Sequence, residues 1–239
     1  MKFIKRIVHF IKRRLGKLTS KDFVEYLREH DVAVGEGTHF FDWKNTIVDI
    51  QRPWLLEIGE YCKITSGVTI LAHDYSRSVL RRVYGEILEG GVKTVIGNNV
   101  FLGINTIVLP GTNIGDNSII GAGSVCRGIY PPNCVIAGNP AKVICTLDDY
   151  YRKRKEKYVD EAIETACLYY RKYNRWPDIY MMGEFFPLYL DRTTEAIVSN
   201  RINTSLCGDN KDEIEEFFFA STKIFQNYEE FLKLCEKRL

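Results

Sequence analysis

The stretch IGNNVFLGINTIVLPGTNIGDNSIIGAGSVCRGIYP, residues 96–131, repeats with a period of six. It divides into IGNNVF, LGINTI, VLPGTN, IGDNSI, IGAGSV and CRGIYP, and the units IGEYCK, ITSGVT and ILAHDY carry the same period upstream from residue 58. The first position of a unit is almost always aliphatic, the second is often glycine, and the fifth is mostly small or β-branched. An internal repeat of this regularity is the strongest evidence on the fold class.

One inward aliphatic residue in six matches neither the alternation of a strand nor the 3.6-residue period of a helix. It predicts short strands joined by tight turns, three to a coil, with each coil stacked about 4.8 Å above the last. Counting along the coils places Ile70, Val108 and Cys126 in one inward column. The same count puts His73 in one turn column with Gly111 and Ile129.

The pairs Asn98-Asn99 and Asp116-Asn117 stand at equivalent turn positions of two units. Turns of this kind require left-handed backbone, which Asn and Asp tolerate better than other residues with a side chain. We therefore interpret these four residues as structural.

The period breaks between Ile70 and Ile96, and a segment from Ser76 to Val95 must leave the coil directly after the unit that contains His73. Long loops in compact domains are usually functional or disordered. This one is rich in arginine and aliphatic residues, which favours packing against another surface. His73 is the only histidine of the repeat region, and it stands at the mouth of the loop.

Composition restricts the class of protein. The chain has 239 residues and a formal net charge of +2, so it has no overall electrostatic preference for nucleic acid. Its seven cysteines are odd in number and form no CxxC pair, which argues against a disulfide framework and a zinc or redox motif. We expect a protein of the reducing cytoplasm without nucleic-acid partners.

The N-terminus, MKFIKRIVHFIKRRLGKL, pairs apolar residues at helical spacing with many lysines and arginines and no acidic residue. Its apolar residues are interrupted by charges, so it is neither a signal peptide nor a membrane span. The pattern predicts a basic amphipathic helix. Two roles stay open for residues 1–18: peripheral contact with the anionic inner face of the membrane, or packing on its own protein or a partner subunit.

The repeat ends after Ile144, and the sequence then predicts helices from TLDDYYRKRKEKYVDEAIETACLYYRKY to a last helix around residues 227–239, with a loop at NRWPD. A stacked coil has an open end, which a helical cap would cover. We expect three parts: an N-terminal helical segment, residues 1–30; the coil with its loop 76–95, residues 31–144; and a C-terminal helical region, residues 145–239. No catalytic motif occurs in the last part.

The segments IGNNVFLG, LPGTNIGDNSIIGAGSV and VIAGNPAKVI make residues 58–144 resemble the hexapeptide-repeat acyltransferases. Within that family the chain is most similar to the galactoside, maltose and polysaccharide O-acetyltransferases and to the xenobiotic acetyltransferases. The resemblance implies a left-handed parallel β-helix with an extruded loop. It also implies acetyl-coenzyme A (acetyl-CoA) as donor, no metal, and a homotrimer with active sites between subunits.

The resemblance assigns the catalytic role to His73, because these enzymes carry their catalytic histidine at the start of the extruded loop. A sugar hydroxyl is almost never ionised at neutral pH, and an imidazole with an ordinary pKa of about 6.5 can remove its proton during attack on a thioester. The second ring nitrogen needs an acceptor that fixes the tautomer. Glu86 resembles the loop glutamate of the sugar acetyltransferases and is the candidate for that role, with a solvated surface carboxylate as the alternative.

The resemblance also implies residues that bind donor and acceptor. Ala122 matches the residue that contacts the pantetheine arm, and Lys142 matches a basic residue near the coenzyme phosphates. Arg127 and Ile104 take further cofactor positions at which the chain departs from the family pattern. Acceptor hydroxyls would meet the polar residues near the first coil and the loop mouth, with turn or surface roles as the alternative: Asn45, Asp49 and Asp74.

Three functions follow from these residues. The first is an acetyl-CoA-dependent O-acetyltransferase that modifies a saccharide hydroxyl in cell-surface polysaccharide biosynthesis. The second is acetylation of a small xenobiotic by the same chemistry, and the third is a non-catalytic β-helix scaffold. A zinc-dependent hexapeptide carbonic anhydrase is excluded, because its metal needs three histidines and the repeat contains one.

Overall fold

A computed structural model describes residues 18–239. Fifteen short strands lie between residues 33 and 146, and most of them are two residues long. Their bounds are β1 Ala33–Val34, β2 His39–Phe40, β3 Ile47–Val48, β4 Leu56–Ile58, β5 Lys63–Ile64, β6 Thr69–Ile70, β7 Thr94–Ile96, β8 Phe101–Leu102, β9 Ile107–Val108, β10 Asn113–Ile114, β11 Ile119–Ile120, β12 Val125–Cys126, β13 Ile129–Tyr130, β14 Cys134–Gly138 and β15 Ala141–Thr146.

The strands form three parallel sheets in which each strand pairs with the strand three places later in the chain. The sheet orders are β1-β4-β7-β10-β13, β2-β5-β8-β11-β14 and β3-β6-β9-β12. The last strand, β15, joins β14 as an antiparallel neighbour. Three sheets visited in turn by consecutive strands are the stacked coil that the six-residue period predicts.

The core is three columns of apolar side chains, one from each sheet. Ile70, Val108 and Cys126 pair in register along one of them, which confirms the predicted inward column. All three are 0% exposed. Full burial of one such aliphatic side chain stabilises a fold by about 1.5–3 kcal/mol, so a column repeated in every coil supplies much of the stability.

The turns between strands are held by a ladder of asparagines. Asn99 and Asn117 have φ values of 52° and 55°, in the left-handed region that their pattern predicts. The side-chain amide of Asn99 donates to Asn117 at 3.0 Å, and that of Asn117 donates to Asn133 at 3.0 Å. Asn98 and Asp116 accept backbone N–H groups of neighbouring coils through Oδ1. These contacts explain the four residues as structural.

One coil departs from the repeat. Asn99 and Asn117 are 18 residues apart, but Asn117 and Asn133 are only 16 apart. The shortening moves Ile129 into β13, where it pairs with Asn113. The predicted placement of Ile129 in the turn column of His73 is therefore wrong, because the last coil lacks two residues.

Helix α1, Ser20–Glu29, precedes the first strand and begins with a capping box. The Thr19 hydroxyl accepts from the backbone of Asp22, and the Asp22 carboxylate accepts from the backbone of Thr19. Val24 and Leu27 pack into the coil core with Phe40. This helix therefore closes the apolar interior at the N-terminal end of the described chain.

The segment between β6 and β7 lies outside the three sheets, as the break in the period predicts. It contains a helix that the sequence analysis did not predict, α2, Arg77–Tyr84, which ends at Gly85 with left-handed backbone. None of the residues of α2 is buried. Val79, Val83 and Tyr84 are each more than 60% exposed, so this helix presents apolar side chains on its surface.

A second compact unit comprises residues 151–239, and the first ends at Tyr150. Helix α3, Leu147–Tyr173, begins just before this division and is followed by a 3-10 segment, Ile179–Leu188. Three shorter helices complete the unit: α4 Thr194–Ser199, α5 Lys211–Ala220 and α6 Tyr228–Glu236. Its core is separate and rich in aromatic residues, with Phe186, Tyr189 and Phe231 almost fully buried.

The predicted amphipathic helix at the N-terminus falls almost entirely outside the described residues. Among the helices of residues 18–239, no segment is long and apolar enough to cross a membrane.

Candidate active site

His73 lies at the edge of the coil where the loop departs. It follows β6 by three residues, and its neighbour Ala72 accepts a hydrogen bond from the backbone N–H of Val92 at 3.2 Å. Arg52 pins the returning part of the loop, since it donates to the Gly90 carbonyl at 3.1 Å and pairs with Glu89 at 3.0 Å. The foot of the loop is therefore closed beside the histidine.

Asp49 is the side chain that meets the His73 ring. It follows β3, which pairs in parallel with β6, so the carboxyl ends of the two strands stand side by side. Nδ1 of His73 donates a hydrogen bond to Oδ2 of Asp49. The backbone N–H groups of Ala72 and His73 also lie 3.2 Å from Oδ2, and the N–H of Gln51 lies 3.0 Å from Oδ1.

The electrostatics of this pair favour an ionised carboxylate. Burial raises the pKa of Asp49, but the hydrogen bonds from the Gln51 backbone, the His73 ring and the Ala72 backbone outweigh it, and the pKa lies below its ordinary value. An ionised carboxylate can only accept hydrogen bonds, so Nδ1 carries a proton. In the neutral ring Nε2 is then an acceptor. None of the hydrogen bonds formed within residues 18–239 uses Nε2.

Two further residues, which the sequence analysis did not identify, border the pair. The Tyr75 ring meets the His73 ring edge to face, with centroids 5.3 Å apart and an interplanar angle of 78°. The Tyr75 hydroxyl lies 2.8 Å from Nε2 of Gln51 and 3.0 Å from Oε1 of the same amide. Tyr75 is nevertheless 69% exposed, so its ring is accessible beside a nearly buried imidazole.

Glu86 makes no contact with the His73 ring within the described residues of one chain. It is exposed beyond α2, and within residues 18–239 the side-chain hydrogen bond to Nδ1 of His73 comes from Asp49. The hydrogen bond that fixes the tautomer of His73 is therefore made by Asp49, which the sequence analysis assigned to binding of the acceptor substrate. The physical reason is the β3–β6 pairing, which local sequence near His73 does not display.

The other acceptor candidates form local contacts. Asp74 accepts from the backbone and hydroxyl of Ser76 and pairs with Arg77 at 3.5 Å, which shapes the start of α2. Asn45 is exposed, and its amide donates to Asp42 at 2.6 Å. Neither side chain contacts the His73 ring in the described structure, and a role toward an acceptor stays a prediction for both.

Ile104 and Ala122, the two residues expected to contact acetyl-CoA along the coil, lie on adjacent coils. The backbone N–H of Gly123 donates to the Ile104 carbonyl at 2.8 Å, so Ile104 and Ala122 belong to neighbouring coils. Both side chains are exposed. The two coils approach closely here, since a Cβ on Gly103 would lie 2.6 Å from the Ala122 nitrogen. The pair therefore offers a small apolar surface along the coil.

The two candidate phosphate ligands lie near each other through Tyr130. The Tyr130 hydroxyl accepts from the backbone N–H of Arg127 at 3.1 Å and donates to the Ala141 carbonyl at 3.2 Å. Lys142 follows Ala141 in β15, and both cationic side chains are exposed. The hydroxyl therefore joins the backbones that carry these two cations, and a role toward the coenzyme phosphates stays a prediction for both.

Comparison with known proteins identifies the family. Residues 93–128 match the family model described as bacterial transferase hexapeptide (six repeats). The chain is 36% identical over 176 residues to Protein CapG of Staphylococcus aureus. The matched range covers 73% of this chain and 96% of CapG. It is 34% identical over 131 residues to galactoside O-acetyltransferase of Escherichia coli K12, over 54% of this chain and 61% of that protein.

A third relative is more similar over a shorter range. The putative lipopolysaccharide biosynthesis O-acetyl transferase WbbJ of Escherichia coli K12 is 60% identical over 122 residues, which cover 47% of this chain and 62% of WbbJ. A three-sheet coil with a histidine–carboxylate pair at its edge, together with these relatives, defines an acyltransferase. The chain belongs to the hexapeptide-repeat transferase family.

Proposed function

We propose that this protein is an acetyl-CoA-dependent O-acetyltransferase that modifies a saccharide hydroxyl in cell-surface polysaccharide biosynthesis. The observation that supports it best is the hydrogen bond from Nδ1 of His73 to Asp49, which leaves Nε2 as a base. The relatives support the class of acceptor, because the two from Escherichia coli are named for a galactoside and for lipopolysaccharide biosynthesis.

In the proposed reaction His73 acts as general base. Its Nε2 accepts the proton of the acceptor hydroxyl while the hydroxyl oxygen forms its new bond to the acetyl carbon. The imidazolium that results is stabilised by the Asp49 carboxylate, which holds the ring in one orientation. His73 then returns the proton to the departing thiolate of coenzyme A. Acetyl-CoA supplies the activated acetyl group, and the carbon–sulfur bond is the one that breaks.

Four residues are proposed to hold the donor. Ile104 and Ala122, exposed on adjacent turns, would contact the pantetheine arm, and Arg127 and Lys142 would contact the phosphates. A flexible ammonium and a guanidinium are suitable phosphate ligands because both donate charged hydrogen bonds. Asn45 and Asp74 are proposed on the acceptor side.

The handedness of the coil and the oligomeric state of the enzyme are part of the same proposal. We expect the coil to be left-handed and the enzyme to be a homotrimer with active sites between subunits, as the resemblance to the family implies. The apolar residues exposed on α2 support such an assembly, since an extruded helix with Val79, Val83 and Tyr84 on its surface gains stability by packing on a neighbour.

The experiment is an acetyl-transfer assay. Full-length protein is incubated with acetyl-CoA and a panel of saccharides that includes a galactoside, and released thiol and acetylated saccharide are both quantified. We expect saccharide-dependent thiol release that equals acetylated product. A hydroxylated antibiotic in the same assay tests the xenobiotic alternative. Acetyl transfer to the antibiotic alone, or to no acceptor, would contradict the proposal.

A further inference from the structure

Two adjoining cavities lie in the second unit, among residues 176–232. One has a volume of about 510 Å³ and the other of about 590 Å³. They share four lining residues: Ile179, Ser199, Asn200 and Tyr228. We call the two together the Tyr228 groove. No residue assigned above to catalysis or to donor and acceptor binding lines it.

Aromatic rings line both parts of the groove. Tyr189 lines the first cavity, Trp176 and Tyr180 line the second, and Tyr228 lies between them. The rings of Tyr189 and Tyr228 have centroids 4.7 Å apart, and Trp176 packs on Tyr170 at 4.5 Å. Tyr180 is 43% exposed and accessible to a ligand. Aromatic faces beside polar groups suit amphipathic ligands, including the apolar faces of pyranose rings.

The polar lining is rich in hydrogen-bond acceptors. The side-chain amide of Asn200 donates through Nδ2 to the Ala196 carbonyl at 2.9 Å, and its Oδ1 is a hydrogen-bond acceptor. Arg201 is the one basic residue in the lining of these two cavities, and Asp191 pairs with Lys223 nearby. The carboxylates that line the groove are those of Asp178, Asp191, Glu195 and Glu229.

This charge pattern selects among ligand classes. The four carboxylates outnumber the two cations beside them, Arg201 and the Lys223 that pairs with Asp191, so the lining keeps a net negative charge and disfavours phosphates, nucleotides and acidic glycans. Carboxylate and amide oxygens instead accept hydrogen bonds from a ligand that carries many hydroxyl donors. The aromatic side chains and the carboxylate and amide oxygens of the groove therefore fit an uncharged saccharide better than a coenzyme or an anion.

Tyr189 is a buried wall of the groove and not a ligand contact. It is 2% exposed, and its hydroxyl is buried without a hydrogen-bond partner among the described residues, so a ligand in the groove does not reach it. The aromatic side chain that the groove presents most openly is Tyr180, which is 43% exposed.

We propose that the Tyr228 groove binds an uncharged oligosaccharide segment of the acceptor, a second binding site on the same chain. The inference rests on the proposed function, since it takes the acceptor to be a saccharide. The groove then gives the chain an affinity for oligosaccharides that does not depend on the residues of the active site.

The test is retention of labelled full-length protein on an array of defined bacterial glycans, uncharged and anionic. We expect retention of uncharged glycans and none of anionic ones. Tyr180→Ala should weaken retention by about 3-fold to 10-fold through loss of the aromatic face. Tyr151→Ala is the matched control, because Tyr151 is 60% exposed in the same unit but lies outside the groove.

A second variant separates binding from folding. Tyr180→Phe keeps the aromatic ring and should be retained like wild type, and Tyr180→Ala should keep the wild-type melting temperature because Tyr180 is 43% exposed. No retention of any uncharged glycan, or wild-type retention by Tyr180→Ala, would overturn the proposal. His73→Ala should be retained like wild type. A wild-type protein that retains uncharged glycans but acetylates no saccharide would overturn the proposed function and leave the groove proposal in place.

Discussion

Nδ1 of His73 donates a hydrogen bond to Oδ2 of Asp49, a residue 24 positions earlier in the chain. The two side chains meet because β3 and β6 are neighbours in one sheet, and each residue stands just beyond the end of its strand. The same carboxylate accepts three backbone N–H groups, which hold it in place.

The first prediction concerns the charge of this carboxylate. Asp49→Asn should lower kcat on the order of 10²-fold to 10⁴-fold, because the amide no longer fixes the tautomer or stabilises the imidazolium. The acidic limb of the profile of kcat/KM against pH should also move to lower pH, since loss of a negative charge destabilises the protonated ring. Asp49 itself stays ionised throughout an assay above pH 5, because its pKa lies below the ordinary value of about 3.9.

Glu86→Gln is the matched control for that experiment. The exposed Glu86 makes no contact with the His73 ring within the described chain, so its replacement should leave the pH profile in place. A shift for Glu86→Gln and none for Asp49→Asn would restore the assignment that the family resemblance implies.

The second prediction concerns the base. His73→Ala should lower kcat by about 10²-fold to 10⁴-fold, the usual contribution of a general base. The side chain lies at the loop mouth rather than in an apolar column of the core, so the circular dichroism spectrum and the affinity for acetyl-CoA should stay near those of wild type. Turnover equal to wild type would remove His73 from the mechanism.

The third prediction concerns the exposed aromatic ring beside the base. Tyr75→Ala should raise KM for a methyl pyranoside by about 3-fold to 10-fold, since an aromatic face that can pack on a sugar ring is lost. The KM for acetyl-CoA should not change. Tyr75→Phe keeps the ring and should behave like wild type toward the pyranoside.

A purely structural role for Tyr75 would give another pattern. If the ring only supports His73, Tyr75→Ala should lower kcat equally for a pyranoside and for glycerol, which has no ring to stack. Steady-state kinetics with the two acceptors distinguish these outcomes.

The fourth prediction concerns the cations near Tyr130. Lys142→Ala and Arg127→Ala should each raise KM for acetyl-CoA and leave kcat at saturation almost unchanged, because phosphate contacts lie far from the reacting carbonyl. Lys153→Ala, on the exposed face of α3, is a control that removes an equal charge elsewhere. A fall in kcat without a change in KM would show that the two cations are not phosphate ligands.

The fifth prediction concerns the basic N-terminus. Full-length protein should sediment with anionic lipid vesicles at low ionic strength, and a variant beginning at Thr19 should not. Each basic residue near such a surface contributes on the order of 1 kcal/mol, and the attraction falls at high salt. Both proteins should acetylate a monosaccharide equally. Equal sedimentation would favour the alternative, in which this segment packs on protein.

The period of six by itself determined the parallel coil, its inward columns and the position at which a loop leaves. These features repeat at short range, because each unit carries its own aliphatic residue and its own turn residues. Ile70, Val108 and Cys126 could therefore be aligned by counting. The same period singled out His73, because a break in a regular pattern is visible without knowledge of any contact.

Only the tertiary structure decided which carboxylate faces His73. Strands β3 and β6 pair through Val48 and Ile70, a longer interval than the 18 residues of the regular coils, so counting by the period does not bring Asp49 to the histidine. The Gln51–Tyr75 contact depends on the same pairing. The Tyr228 groove joins residues from three separate elements without any repeat. Contacts of this kind depend on the register and packing of distant segments, which no local pattern of residues records.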